Sequence, residues 1–175
     1  MSDFSVRKAR VEDANAIARV HVETWRATYA GLIPDHYLIG LSIEGQAFQW
    51  KKLLKSDPIS HVMFVAEVAG KPIGFATGGP SRGKNPPAPA EVYTLYVLGD
   101  FQGQGIGRAL FQSVLNGLAE KGHDSAYLWV LSENPSRFFY ERLGGRAKGQ
   151  QAERFAGSEV METAYLFSDM NGGAR

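Results

Sequence analysis

Hydrophobic and polar positions follow two periods along this chain, and the switches between them mark its elements. Ser5 to Arg10 reads as a short first strand. Ile17, His21, Trp25 and Tyr29 then recur at every fourth position, which predicts a helix with that face buried and Asp13 as its N-cap. "AGLIPD" breaks the pattern, and helical spacing resumes from about Pro34 to Leu54 with an interruption near Gly40 to Ser42. "HVMFVAEVAG" and "KPIGFATGG" are strands joined by a hairpin turn at "AGKP". The segment "PSRGKNPPAPA" is irregular, because its closely spaced prolines fix φ and remove backbone donors.

A strand from Glu91 to about Leu98 leads through a glycine-rich turn into a helix with the stripe Ile106, Leu110, Val114 and Leu118. Lys121 and Gly122 supply a basic last turn and a left-handed stop. "SAYLWVLS" is a further strand. "ENPSRFFYERLGG" reads as a two-turn helix with Asn134 as N-cap, Pro135 first inside and Gly144 as the stop. Two strands close the chain, one after Gly145 and one at "EVMETAYLFS". The order β, α, α, β, β, β, α, β, α, β, β predicts an α/β fold: one mixed sheet of about seven strands with helices on both faces.

Composition narrows the function. The 175 residues, 44% hydrophobic and 21% charged, suit one domain over 1–175, with 169–175 expected as a flexible tail. Lys plus Arg at 19 against Asp plus Glu at 18 leaves a net charge of +1, which argues against a nucleic-acid or anionic-membrane partner. There is no cysteine, hence no disulfide, thiolate metal site or cysteine nucleophile. No apolar run is long enough for a signal peptide or a membrane span, so a cytoplasmic protein is expected. His21, His36, His61 and His123 show no metal-site spacing, and no metal is expected.

The turn "QGQGIGR", between a strand and a helix, brings backbone N–H groups and the positive end of a helix dipole to one spot, the geometry of an anion site. A Walker loop would need Lys-Ser or Lys-Thr where Arg108-Ala109 stand. A dinucleotide fingerprint starting at Gly103 would need a small residue at 108, so Arg108 argues against an NAD(P)-binding oxidoreductase.

Gln102-Gly103-Gln104-Gly105-Ile106-Gly107 resembles the Gln/Arg-x-x-Gly-x-Gly/Ala motif of the GNAT N-acetyltransferase superfamily, and "FYERLGG" resembles its second cofactor motif. The resemblance extends to the order of elements over nearly the whole chain. It implies that Gln102, Gly103, Gln104, Gly105, Ile106, Gly107 and Arg108 hold the pyrophosphate of acetyl-CoA. Backbone groups of Leu95, Tyr96 and Val97 would serve its pantetheine arm and the oxyanion. It further implies Tyr140 as general acid and Glu91 as general base, with Asn134 contacting the cofactor. In many members that asparagine precedes the tyrosine by seven positions. Asn134 precedes Tyr140 by six, a change of about 100° around a helix.

The chemistry of such a transfer sets its own demands. An alkyl amine of pKa about 10.4 costs about 4.6 kcal/mol to deprotonate at pH 7, which calls for a base. A thiolate leaving group needs only a nearby donor. In family members the acceptor enters between the first helical region and the loop before the glutamate strand. Trp25 and Tyr29 are therefore candidate substrate residues, and their spacing suits core packing equally. The amine-bearing acceptor is left among a small amine, an amino acid, an antibiotic, a protein lysine and a protein N-terminus. A homodimer is compatible with this reading, and a CoA-binding sensor of the same fold without turnover is its alternative.

Overall fold

The computed structural model describes residues 3–56, 59–155 and 157–170. Strand β1 (Ser5–Lys8) runs through a 3-10 turn (Val11–Asp13) into α1 (Ala14–Thr28), followed by α2 (Asp35–Gly40) and α3 (Ile43–Ser56). The hairpin β2 (Val62–Val68) and β3 (Lys71–Pro80) comes next, then β4 (Ala90–Val97), α4 (Ile106–Glu120) and β5 (Ala126–Leu131). The chain closes with α5 (Arg137–Arg142) and the hairpin β6 (Arg146–Phe155) and β7 (Ser158–Phe167). The strands form one seven-stranded sheet in the order β1-β2-β3-β4-β5-β7-β6, mixed because β4 and β5 run parallel.

The predicted α4 stripe is buried on one side of this sheet; of the predicted α1 face Ile17 is buried on the other, while His21, Trp25 and Tyr29 are half-buried. On one side Ile106, Leu110, Val114 and Leu118 of α4 lie against Ala76, Val92 and Leu128. Each such side chain removed from water contributes about 2 kcal/mol. On the other side Ile17, Ala18 and Val20 of α1 pack with Trp50 and Leu54 of α3 over Val65 and Phe75. The turn at Ala69 and Gly70 has φ of 50° and 73°, the paired left-handed conformation that matches the twist of a hairpin. Gly122 and Gly144, at φ of 91° and 93°, stop α4 and α5 as expected.

Strand β4 carries a feature that its sequence does not announce. Thr77 of β3 pairs with Thr94, and the next residue, Gly78, pairs with Val92, which leaves Tyr93 as an extra residue in β4. The bulge shifts the inside–outside alternation by one. Ala90 and Val92, then Leu95 and Val97, face α4, whereas Tyr96 turns to the α1 side.

Two local expectations are corrected, at Asp13 and Asn134. Asp13 is not a side-chain cap of α1. Its carboxylate reaches back to the Arg10 N–H (2.7 Å) and takes a two-pronged bond from Arg7 (2.8 and 2.9 Å). Asn134 does not directly precede α5: Ser136 holds that place, and Asn134 Oδ1 accepts from the Ser136 N–H at 2.9 Å in the turn before it. Of the tail expected from 169, Met170 donates its N–H to the Asp124 carbonyl (3.1 Å) and packs on the core, while 171–175 lie outside the described residues.

Arg7 also bonds Glu67 of β2 at 2.9 Å, so one guanidinium ties β1, β2 and the entry to α1. Burial works to raise the Asp13 carboxyl and is outweighed by its bonds from Arg7 and Arg10, so its pKa is lowered. A depressed folded-state pKa stabilises above the unfolded value, about 3.9, and that contribution is lost as pH falls through the folded value. Asp13→Asn is therefore expected to cost roughly 2 kcal/mol at pH 7, with the gap to the parent narrowing below about pH 4. Thermal unfolding across pH 2–8 checks this, and equal melting temperatures at pH 7 would refute it.

Candidate active site

The glycine turn lies at the end of β4. Gln102 donates Nε2–H to the Val97 carbonyl (2.9 Å), tying the turn to the strand that leads into it. Gly103 and Gly105 take φ of 74° and 84°, and a Cβ on either would meet no atom within 4 Å. The turn is thus left-handed and open on its outer side, as an anion cradle requires. Gly105 is the N-cap of α4 and no side chain caps that end, so the first-turn amides of Ile106, Gly107 and Arg108 lack intrahelical partners. Ile106 is buried in the core, so only its backbone is offered to a ligand. Gln104 Nε2 bonds the Asp100 carbonyl (3.2 Å), and Arg108 is exposed.

Next to this turn the sheet parts. β4 and β5 pair at Ala90↔Ala126 and Glu91↔Tyr127, and there the ladder ends although β4 continues to Val97 and β5 to Leu131. Between them lies a cleft of about 110 Å³ lined by Val92 to Val97, Leu128 to Val130, Gln102, Asn134 and Tyr140. The β4 peptide groups of Leu95, Tyr96 and Val97 border it, with the Leu95 and Val97 side chains turned to the core. Amides of a pantetheine chain fit such an edge, because unpaired backbone groups here need a partner.

Tyr140 stands on α5 against Phe111 and Phe139. Its hydroxyl makes no hydrogen bond among the described residues, and burial, with a smaller effect from Tyr29, raises its pKa well above that of ordinary tyrosine. It therefore holds its proton at physiological pH and has a donor to offer the cleft. Asn134, buried, lines the same cleft with its Oδ1 engaged by Ser136.

A second cavity, of about 590 Å³, opens on the α1 side and shares Tyr29, Val92, Tyr93, Tyr96, Trp129 and Val130 with the cleft. Trp25 and Tyr29 form its aromatic wall with Phe155, and their rings also pack on each other, 4.8 Å between centroids. The two residues pack on neighbouring rings on one side and line this cavity on the other. Trp25 Nε1 is buried with no hydrogen-bond partner among the described residues.

Glu91 lies in this cavity and is almost fully buried, 3% exposed. Oε2 accepts from the Arg82 N–H (3.0 Å), Arg82 Nε (3.3 Å) and the Tyr127 hydroxyl (3.2 Å), and Oε1 accepts from the other end of the Arg82 guanidinium at 2.7 Å. Arg82 itself lies over the Tyr93 ring, 4.1 Å from its centroid. The structure thus brings every expected site residue to the turn, the cleft or the cavity.

Arg82, Tyr127, Gln151, Glu153 and Glu162 were not singled out by the sequence. Glu162 lines the cavity with Glu153 and Glu91, and its carboxyl pKa is raised by burial first and then by those two carboxylates, with Gln151 and Arg82 partly opposing. Its neighbour across the ladder, Gln151, donates Nε2–H to it at 3.3 Å. The one signal available beforehand was an acidic residue on a closing strand, the common mark of a solvated face.

Residues 20–145 match the Acetyltransferase (GNAT) family. Over 167 residues the chain is 33% identical to the uncharacterized N-acetyltransferase YuaI of Bacillus subtilis, across 95% of this chain and 94% of that protein. Its fold is similar to that of ribosomal-protein-alanine N-acetyltransferase from Brucella melitensis (TM-score 0.74, 21% identity, 94% and 99% of the two chains). It is similar also to yncA of Salmonella typhimurium, solved with its cofactor acetyl-CoA (TM-score 0.71, 18% identity, 98% and 96%). An open glycine turn beside a parted sheet, a family match through the middle of the chain and a relative along nearly all of it agree: the chain belongs to the acetyltransferase (GNAT) family.

Proposed function

We propose that residues 1–175 form one N-acetyltransferase domain that moves the acetyl group of acetyl-CoA onto a primary amine. The observation that carries this reading is the junction of cleft and cavity at the parting of β4 and β5. A donor entering from the glycine turn and an acceptor entering past α1 meet there. The left-handed Gly103 and Gly105 and the amides of Ile106, Gly107 and Arg108 would hold the pyrophosphate, with Gln102 and Gln104 bracing the turn. β4 would present the peptide groups of Leu95, Tyr96 and Val97 to the pantetheine arm, with Asn134 on the same cleft. Acetyl-CoA supplies the activated acyl group. Three carboxylates against one guanidinium in the cavity favour the ammonium form of the acceptor, which Trp25 and Tyr29 would flank.

Direct attack needs a neutral nitrogen, a stabilised oxyanion and a proton for the departing sulfur. Tyr140, protonated and unbonded at the cleft, is the donor to that sulfur. A cavity carboxylate accepts the proton of the amine, Glu91 by the family resemblance. Acceptor-dependent thiol release from acetyl-CoA over a panel of alkylamines, amino acids and peptides tests the reading. CoA binding with no release for any acceptor would instead identify a sensor.

Gly105→Val is expected to raise the acetyl-CoA Kd at least tenfold, because its side chain both occupies the open face and resists φ of 84°. The backbone strain is about 1–2 kcal/mol, small enough for the variant to stay folded. Unchanged affinity in a folded variant would remove the phosphate-turn assignment. Tyr140→Phe keeps the ring contacts with Phe111 and Phe139. It is expected to lower kcat by roughly 10- to 1000-fold with acetyl-CoA affinity, measured directly, within a few-fold. Parental turnover with chemistry rate-limiting would return Tyr140 to a packing role.

A further inference from the structure

Resting on the acetyltransferase reading, we infer that Glu162 of β7 is the base that takes the acceptor's proton, and that Glu91 is a positioning carboxylate holding Arg82 at the cavity wall. A general base needs an oxygen free to receive a proton, a place in the acceptor cavity and a proton affinity above that of an ordinary carboxylate. Glu91 has the place in the cavity but no oxygen free of a donor. Its two oxygens accept four hydrogen bonds, two of them from a guanidinium, so neither oxygen is free of a donor and a proton arriving there weakens a charge-assisted pair. Those bonds instead fix Arg82 and with it the start of the proline-rich segment, whose Ser81 N–H closes on the Pro89 carbonyl at 3.0 Å.

Glu162 meets all three. It is half-buried in the same cavity, and among the described residues its one hydrogen bond is that from Gln151. The groups that act on it come from four directions: Glu91 of β4, Arg82 of the segment before β4, Glu153 and Gln151 of β6, and Tyr29 at the end of α1, whose phenol interacts electrostatically with it. Burial and the two like charges of Glu153 and Glu91 raise its proton affinity against the opposing Gln151 hydrogen bond and Arg82. Tyr29 lines both spaces, so Glu162 lies on the acceptor side of the residue that borders the donor cleft.

The transfer balances as follows. An ammonium gives one proton to Glu162, and the neutral nitrogen forms the N–C bond as the C–S bond breaks. Tyr140 gives its proton to the sulfur and regains one from the nitrogen as the amide forms. Glu162 passes its proton to solvent, so the products are amide, free thiol and one released proton.

The test compares the pH profiles of kcat/KM for the parent, Glu162→Gln, Glu162→Asp and Glu91→Gln, using the most active amine of the panel, with acetyl-CoA affinity measured directly on each. Glu162→Gln is expected to lose 10²- to 10⁴-fold near pH 7, with the loss shrinking as pH rises and the acceptor becomes neutral unaided. In it the parental acid limb should be replaced by a rise that follows the acceptor's own pKa, while the parental limb persists in Glu162→Asp and in Glu91→Gln, with acetyl-CoA affinity within a few-fold throughout. A Glu162→Gln profile that keeps the parental acid limb, or falls uniformly at all pH, overturns the assignment alone. Acetyl-CoA binding with no turnover for any amine in the parent overturns the acetyltransferase reading and this assignment with it.

Discussion

Everything at this site depends on two parallel strands that stop pairing. After Glu91↔Tyr127 the β4 ladder to β5 ends, while β4 runs on to Val97 still bonded to β3 on its other edge. Peptide groups left unpaired in a protein interior cost about 1–3 kcal/mol each unless something else bonds them. A pleated edge inside a cleft is therefore both a cost to the free protein and a ready template for an amide-bearing chain. The bulge at Tyr93 falls where the strands part, and the extra twist that a bulge imposes gives a physical reason for the divergence. The same residue shift turns Tyr96 toward α1, where it borders both the cleft and the cavity.

The parts of the molecule that were legible are those whose signals are local. The α4 stripe repeats at helical period, Gly122 and Gly144 stand where only a left-handed residue ends a helix comfortably, and the glycines of the turn before α4 occur as a tight group. The bulge was hidden because "VYTLYV" offers aromatic and branched residues on both faces, so a slip of one position leaves no break in the pattern. Asp13 was read as a forward cap because nothing nearby in sequence marks Arg7 as the group to which it turns back. The Arg82–Glu91 pair is bridged by an irregular proline-rich segment, where periodicity has no purchase. Glu162 was hidden for the opposite reason: an acidic residue alternating along a strand is ordinary on a solvated face, and only the packing of β6 and α1 around it makes it a cavity group.

Two carboxylates in one cavity thus carry different electrostatics. Glu91 has its charge met at short range by Arg82 and by the Tyr127 phenol, while Glu162 faces like charges and burial with an amide for support. The guanidinium side of the pair remains largely in solvent, 63% exposed, so it serves Glu91 without removing the net negative character of the cavity.

Beneath the junction the structure removes a competing titration. His21 stacks on Tyr96 with ring planes 6° apart and accepts the Trp50 indole N–H on Nδ1 at 3.2 Å. Burial lowers its pKa to about 4, so at neutral pH it is uncharged, with its remaining ring proton on Nε2. Tyr96 itself, buried and coupled to the phenols of Tyr29 and Tyr140, is raised well above the ordinary tyrosine value. The floor of the site is therefore aromatic and neutral from about pH 5 upward through the physiological range. Within that range neither His21 nor Tyr96 changes charge, so these two rings of the scaffold add no titration of their own to a pH profile of this protein.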